Sequence, residues 1–146
     1  MENVVKEYKL TYRPTKREAK TIKDSQSAVE EFRNIFDPDT LNLFESFFVV
    51  YLNRANKIKG YMKISDGGMD STMADPKLIY IGALESLATS IIIGHNHPSG
   101  NPRPSQEDRQ LTEKIKKAGL LLGIHLLDHV IISDENYFSF SENGIL

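Results

Sequence analysis

Four residues with the right chemistry stand close together in this chain: His95, His97, Ser105 and Asp108. The two histidines are separated by one residue and follow a short apolar run ending at Gly94. If the backbone stays extended past Gly94, both imidazoles point to the same side, about 7 Å apart at the backbone. Two rings so placed can close on one metal ion. Asp108 follows on the next predicted helix, whose inward stripe reads Leu111, Ile115, Ala118 and Leu122; one step back lies Asp108. A carboxylate on a buried stripe needs compensation, because desolvating a lone charge is costly. A metal between it and the histidines provides that. Two histidines and one carboxylate, with water in the fourth position, form the donor set of an open catalytic zinc centre. Such a centre brings the pKa of its water toward about 7. Ser105-Gln106-Glu107-Asp108 also reads as a capping box, with Ser105 at the N-cap. The two readings are compatible, since a capped helix end is a rigid platform for a ligand.

These residues need elements to hold them. Residues 4–12 mix β-branched and polar residues and predict a strand ending at Pro14, and residues 15–23 read as loop or edge. Val29, Phe32 and Phe36 give residues 27–36 one apolar face, capped by Asp24 or Ser25 and stopped at Asp37-Pro38-Asp39. Residues 45–52 (ESFFVVYL) form a near-continuous apolar run, hence a buried strand. Residues 57–64 return as a second strand, and residues 65–75, with Gly67-Gly68, form a loop. Pro76 opens a helix running to residue 88, with Ile79, Ala83 and Leu87 in one stripe. SIIIG at residues 90–94 is a short buried strand. A long helix over residues 106–122 ends at Gly123. Strands over residues 124–133 and 137–141 close the chain. The pattern is α/β: a mixed sheet with helices packed on it. Residues 1–40 read as a strand and helix extension packed on a core of residues 41–146, the whole being one domain.

The segment from His95 to Asp108 resembles the JAMM motif of the JAB/MPN metalloprotease family, His-x-His-x7-Ser-x-x-Asp. Within that family the chain is similar to the RadC-like branch, on HNHPSGNPRPSQED, on LDHVII at residues 127–132 and on NYFSF at residues 136–140. The resemblance implies a cytidine-deaminase-like JAB/MPN fold, zinc as the metal, and hydrolysis of a peptide or isopeptide bond. It also implies a glutamate near the start of the first core strand. Glu45 matches that position and would carry the water's proton to the leaving amine; Glu85 is the alternative, but its place within a helix favours a structural role. Ser105 would stabilise the tetrahedral oxyanion. Asn96 and Ser99 read as turn formers at the substrate rim. Asp128-His129 is shared with the RadC-like pattern; His129 reads as a satisfied structural histidine near the site, with support of a ligand from behind as the alternative. His125 faces solvent or a strand edge, and Lys114, Lys116 and Lys117 form a solvated helix face.

Composition narrows the classes. The 146 residues carry a net charge of -2, 40% hydrophobic and 26% charged residues, and no cysteine. That length suits one domain. Disulfides and thiolate metal sites are excluded. The near-neutral charge does not indicate nucleic-acid binding, although a RadC-like role in repair or recombination stays open. A third alternative is a metal-binding scaffold without catalysis. Residues 1–40 are too short for the helix-hairpin-helix module of longer RadC-like proteins. With no membrane span and no signal-like N-terminus, the expectation is a cytoplasmic protein acting on a peptide or protein substrate.

Overall fold

The computed structural model describes residues 2–67 and 74–146. Among the described residues, three helices and five strands follow the order α1 (Ser25–Ile35), β1 (Ser46–Leu52), β2 (Ile58–Asp66), α2 (Pro76–Glu85), β3 (Ser90–Asn96), α3 (Gln106–Leu122), β4 (His125–Ile132) and β5 (Tyr137–Ser139). The strands make one sheet in the order β2-β1-β3-β4-β5. Strands β3 and β4 pair in parallel, with α3 as the crossover between them; β1 with β2, β1 with β3 and β4 with β5 are antiparallel. The architecture is the mixed α/β sheet flanked by helices that the sequence predicts. No helix among the described residues is long and apolar enough to cross a membrane.

Central position explains the two apolar runs. Strands β1 and β3 are buried at every residue, because helices cover both sheet faces. On one face, α2 and α3 contribute Ile79, Tyr80, Ala83 and Ile115 to a core with Phe47, Val49, Ile91 and Ile93. On the other, α1 contributes Ala28, Val29 and Phe32 to a core with Phe48, Val50, Ile92 and Val130. Strand β4 serves both. A register shift there sets Ile91 opposite Leu126 but Ile92 opposite Asp128, so Leu127 is an extra residue. This bulge reverses the alternation. Leu126 and His129 therefore both face the side of α2 and α3.

Several expectations are corrected. No strand forms over residues 4–12; these residues are exposed, and the N-terminal segment first pairs at the bridge between Thr21 and Lys57. Strand-like composition alone does not hold a strand that has neither a partner nor a covered face. Strand β2 continues through Ser65 and Asp66, and the middle of the expected loop, residues 68–73, lies outside the described residues. Helix α2 ends at Glu85 rather than residue 88. Leu87 adopts a left-handed φ of 53° and is 80% exposed, off the expected stripe. That turn lets the Ala88 N–H reach the Ala83 carbonyl at 2.9 Å and brings Ala88 into the core. Leu122, at 45% exposure, is likewise off the inward stripe of α3, whose buried residues are Thr112, Ile115 and Gly119, with Leu111 and Ala118 packed against the same core.

The approach of α1 to the sheet depends on Gly94, the residue before His95. A Cβ there would stand 2.6 Å from the Phe32 ring. Gly94→Ala is therefore expected to lower unfolding stability by about 1–3 kcal/mol through overpacking. Urea denaturation reads this as an earlier midpoint; an unchanged midpoint means the Phe32 ring gives way freely.

Candidate metal centre

Strand β3 delivers the first two side chains. Its parallel ladder with β4 runs on past its end, where the His97 N–H donates to the Ile132 carbonyl at 2.9 Å. The backbone thus stays extended through His97, and both rings emerge on the face of α3. Helix α3 delivers the third. Ser105 caps it, accepting the Asp108 N–H at 3.0 Å, while the Asp108 carboxylate accepts the Ser105 N–H at 2.8 Å. The capping box is real, and it leaves lone pairs on both carboxylate oxygens aimed at the histidines.

The three groups converge. His95 Nε2 lies 3.0 Å from His97 Nε2 and 3.2 Å from Asp108 Oδ1, and His97 Nε2 lies 3.2 Å from Asp108 Oδ2. Nδ1 of His97 faces the Asn101 carbonyl at 3.0 Å, and a carbonyl only accepts. In neutral His97 the proton is therefore on Nδ1, and Nε2 presents a lone pair. Nδ1 of His95 is engaged at 2.8 Å by His129 Nε2. Acceptor atoms aimed at one another at these distances require a proton or a cation between them. Donors held about 2.0–2.1 Å from a tetrahedral ion stand about 3.3 Å apart, close to the spacing found here. The cluster is compatible with metal binding. His95 is 2% exposed, whereas His97 and Asp108 are 13% and 15% exposed, so the centre opens to solvent on one side.

The electrostatics follow from this packing. Burial pushes the Asp108 carboxyl upward, but the imidazoles of His95 and His97 beside it and the Ser105 N–H hold it far below its ordinary range. Burial by itself would lower His97. The Asp108 hydrogen bond, the Asn101 carbonyl and the charges of Asp108 and Glu45 outweigh it and raise His97 above 6.5.

Glu45 stands beside this cluster. In the antiparallel register Phe47 pairs with His95, and continuing that register sets Glu45 opposite His97. Phe47 stacks on the His95 ring with centroids 5.6 Å apart. Glu45, two residues earlier, is on the same sheet face. Its backbone is held on both sides by Asn96, a residue read from sequence as a turn former. Asn96 is 1% exposed and points to the opposite face from the histidines. Its Oδ1 accepts the Ser46 N–H at 2.7 Å, and its Nδ2 donates to the carbonyls of Leu41 and Phe44 at 2.7 and 2.9 Å. The Glu45 carbonyl accepts the Gly67 N–H at 2.8 Å. Glu85, by contrast, is the exposed last residue of α2, near the opposite end of β3.

The remaining assignments divide. Ser99 makes a turn contact with the Asn101 N–H at 3.4 Å, and His125 is exposed, as expected. Lys114 and Lys117 are exposed, but Lys116 reaches the Leu146 carbonyl at 3.1 Å. Asp128 turns away from the centre. It accepts the Ser139 hydroxyl at 2.6 Å and the Ser141 N–H at 2.9 Å, fastening the chain after β5; burial nonetheless raises its pKa. His129 contacts His95 directly, and its other nitrogen lies 2.6 Å from Thr112 Oγ1. Thr112 carries no sequence signal, since the inward stripe read from sequence passes through Leu111 and Ile115.

Comparison with known proteins supplies the family. A family model described as the RadC-like JAB domain matches residues 22–145. A protein from Flavobacterium johnsoniae is 46% identical over 101 residues, 69% of this chain and 44% of the relative. One from Porphyromonas gingivalis is 48% identical over 103 residues, 70% of this chain and 45% of the relative. One from Aquifex aeolicus is 40% identical over 126 residues, 86% of this chain and 53% of the relative. All three carry the name UPF0758 protein, which states no activity. The chain spans about half the length of these relatives.

The pKa directions set a pH dependence. A raised histidine stabilises the metal-free fold below about pH 6.5, and this is lost as the pH rises through the folded-state value. The depressed Asp108 contributes above about pH 4, and that contribution fades as the pH falls below it. Chelator-treated protein is therefore expected to melt at lower temperature at about pH 8.5 than at about pH 6.5. If the cluster takes zinc, the added metal should reverse the order, because metal ligands must be deprotonated. Melting curves with and without zinc test this; the same pH trend in both contradicts it.

Proposed function

The chain belongs to the RadC-like JAB domain family, and from that premise we propose that it is a zinc-dependent hydrolase of the JAMM type, cleaving a peptide or isopeptide bond. The observation that carries this reading is the convergence of His95 Nε2, His97 Nε2 and the two Asp108 oxygens on one solvent-facing point. In this reading those three residues hold the ion. When bound, zinc supplies a Lewis acid and a water of lowered pKa.

The chain's own residues do the rest. Glu45, opposite His97 in the register, takes a proton from the attacking water and delivers it to the departing amine. The pinning of its neighbours by Asn96 and of its carbonyl by Gly67 restricts its backbone, which favours proton transfer at a fixed distance. Ser105 Oγ accepts the Asp108 N–H, so its own proton is directed elsewhere, and in this reading it donates to the developing oxyanion. Phe47 and Phe140 shield the inner side of the two buried histidines, leaving substrate to approach past His97 and Asp108.

A second reading, nucleic-acid association, is favoured by one observation. Residues 6–23 hold seven Lys or Arg against two Glu, and all of these are exposed. Strongly salt-dependent binding of DNA by the purified chain supports it, and binding lost on deleting these residues locates it.

Two variants test the hydrolase. Wild type should hold about one zinc per chain and His97→Ala little; equal metal in both removes the site. Glu45→Gln should keep the zinc and lose about 10²–10⁴ of the turnover of quenched-fluorescent peptide libraries. Undiminished turnover removes Glu45 as the base.

A further inference from the structure

Behind the proposed ligands runs a chain of hydrogen bonds that closes on itself. His95 Nδ1 meets His129 Nε2 at 2.8 Å, His129 Nδ1 meets Thr112 Oγ1 at 2.6 Å, and Thr112 Oγ1 meets the Asp108 carbonyl oxygen at 2.6 Å. The proton positions follow from one fixed end. A backbone carbonyl only accepts, so the single hydroxyl proton of Thr112 goes to Asp108, four residues earlier on the same helix. Thr112 Oγ1 must then accept, and His129 donates from Nδ1.

His129 is 0% exposed, stacked on Phe140 with centroids 4.7 Å apart and tilted against Phe47 at 5.9 Å. Its ring nitrogens meet an imidazole and a hydroxyl, neither of which is a counter-ion for an imidazolium. A neutral ring with its proton on Nδ1 presents a lone pair at Nε2. His95 therefore donates from Nδ1, and its own lone pair is left on Nε2, the atom that faces His97 and Asp108.

From this geometry we infer that Thr112 and His129 are positioning residues that set the tautomer and ring orientation of His95, so that Nε2 is presented to a metal ion before the ion arrives. Nothing in the site needs them as ligands. Their effect passes through His95, while the Thr112 hydroxyl also ties the backbone of Asp108 to the same relay. Outer partners of metal-binding histidines commonly have this effect, through a carboxylate, carbonyl or water; here the partner is a second histidine anchored on a helix hydroxyl. The relay explains why a histidine is buried so deeply without being a ligand. It depends on the bulge at Leu127, which turns His129 toward α3.

The inference rests on the proposed metal centre, and the experiment separates the two. Zinc affinity is measured by competition with a chromophoric chelator for wild type, Thr112→Val and Thr112→Ser, with near-UV circular dichroism as the check on folding. Thr112→Val keeps the shape and removes the hydroxyl; it should weaken zinc binding about 10–100-fold. Thr112→Ser should restore affinity close to wild type. In parallel, histidine-labelled ¹⁵N NMR of the metal-free wild type should find both His95 and His129 protonated on Nδ1. This second measurement reads the relay even if a variant fails to fold. Wild-type affinity in a folded Thr112→Val protein overturns the inference, and so does a His129 proton on Nε2. If wild type binds no zinc, the metal centre falls, and the tautomers alone then decide whether the relay orients His95.

Discussion

Acceptor groups brought together without an obvious donor between them are the constraint on which this molecule turns. Two imidazole nitrogens and a carboxylate, all within 3.2 Å of a neighbour, cannot rest at one point unless positive charge joins them. A metal ion or a shared proton would do so, and the mutual pull of the groups raises His97 and depresses Asp108. The arrangement persists because each contributor is fixed by something other than the cluster. His95 and His97 continue a strand buried on both faces, and Asp108 is held by the cap of its own helix. The scaffold thus holds the groups together against their mutual unfavourable contacts, as preorganised sites do.

The two faces of the sheet divide the work. The side of α2 and α3 carries the cluster, and the α1 side supports it from behind. Phe32 lies so close to Gly94 that no side chain fits there, which lets α1 seat against the strand directly behind His95. Asn96 acts from the same side. Its amide satisfies three backbone groups of the segment leading into β1, so the approach to Glu45 is built from the residue lying between the two histidines. Alternation along an extended strand makes this economy possible: neighbours in sequence serve opposite faces.

That same alternation decides what could be read from sequence. The His-x-His spacing, the buried strands and the capped helix are local patterns, and local patterns survive into the fold. Asp108 was legible as a stripe residue and as a cap, and it is both, because a carboxylate has lone pairs for each role. Leu87 and Leu122 followed the helical period yet lie exposed, because in each case the helix end turns away from the core before the period is complete. Residues 4–12 have a strand-like mix of β-branched and polar residues but find no neighbour, and pairing is a tertiary matter. His129 reads from sequence as near the site, structural or behind a ligand, but which ligand it touches is hidden, since that depends on one extra residue in β4 that periodicity cannot reveal. Thr112 was hidden more deeply: a threonine in mid-helix looks like filler until the atom opposite its hydroxyl is known.

Asp128 and His129 show how much hangs on that bulge. The two are adjacent, both nearly inaccessible, and they serve different faces. Asp128 gathers the Ser139 hydroxyl and the N–H groups of His129 and Ser141, fastening the C-terminal segment across β4. His129 reaches the other way, to His95 and Thr112. The Phe140 N–H returns to the His129 carbonyl at 3.0 Å, and the Phe140 ring then stacks on the His129 imidazole. The segment that Asp128 fastens is thus the one that walls in His129. A buried carboxylate on one side of the sheet fixes the wall, the wall keeps the second histidine dry, and dryness keeps that histidine neutral. Only a neutral His129 can accept from His95, so the direction of the first proposed ligand traces back to a carboxylate that faces away from it.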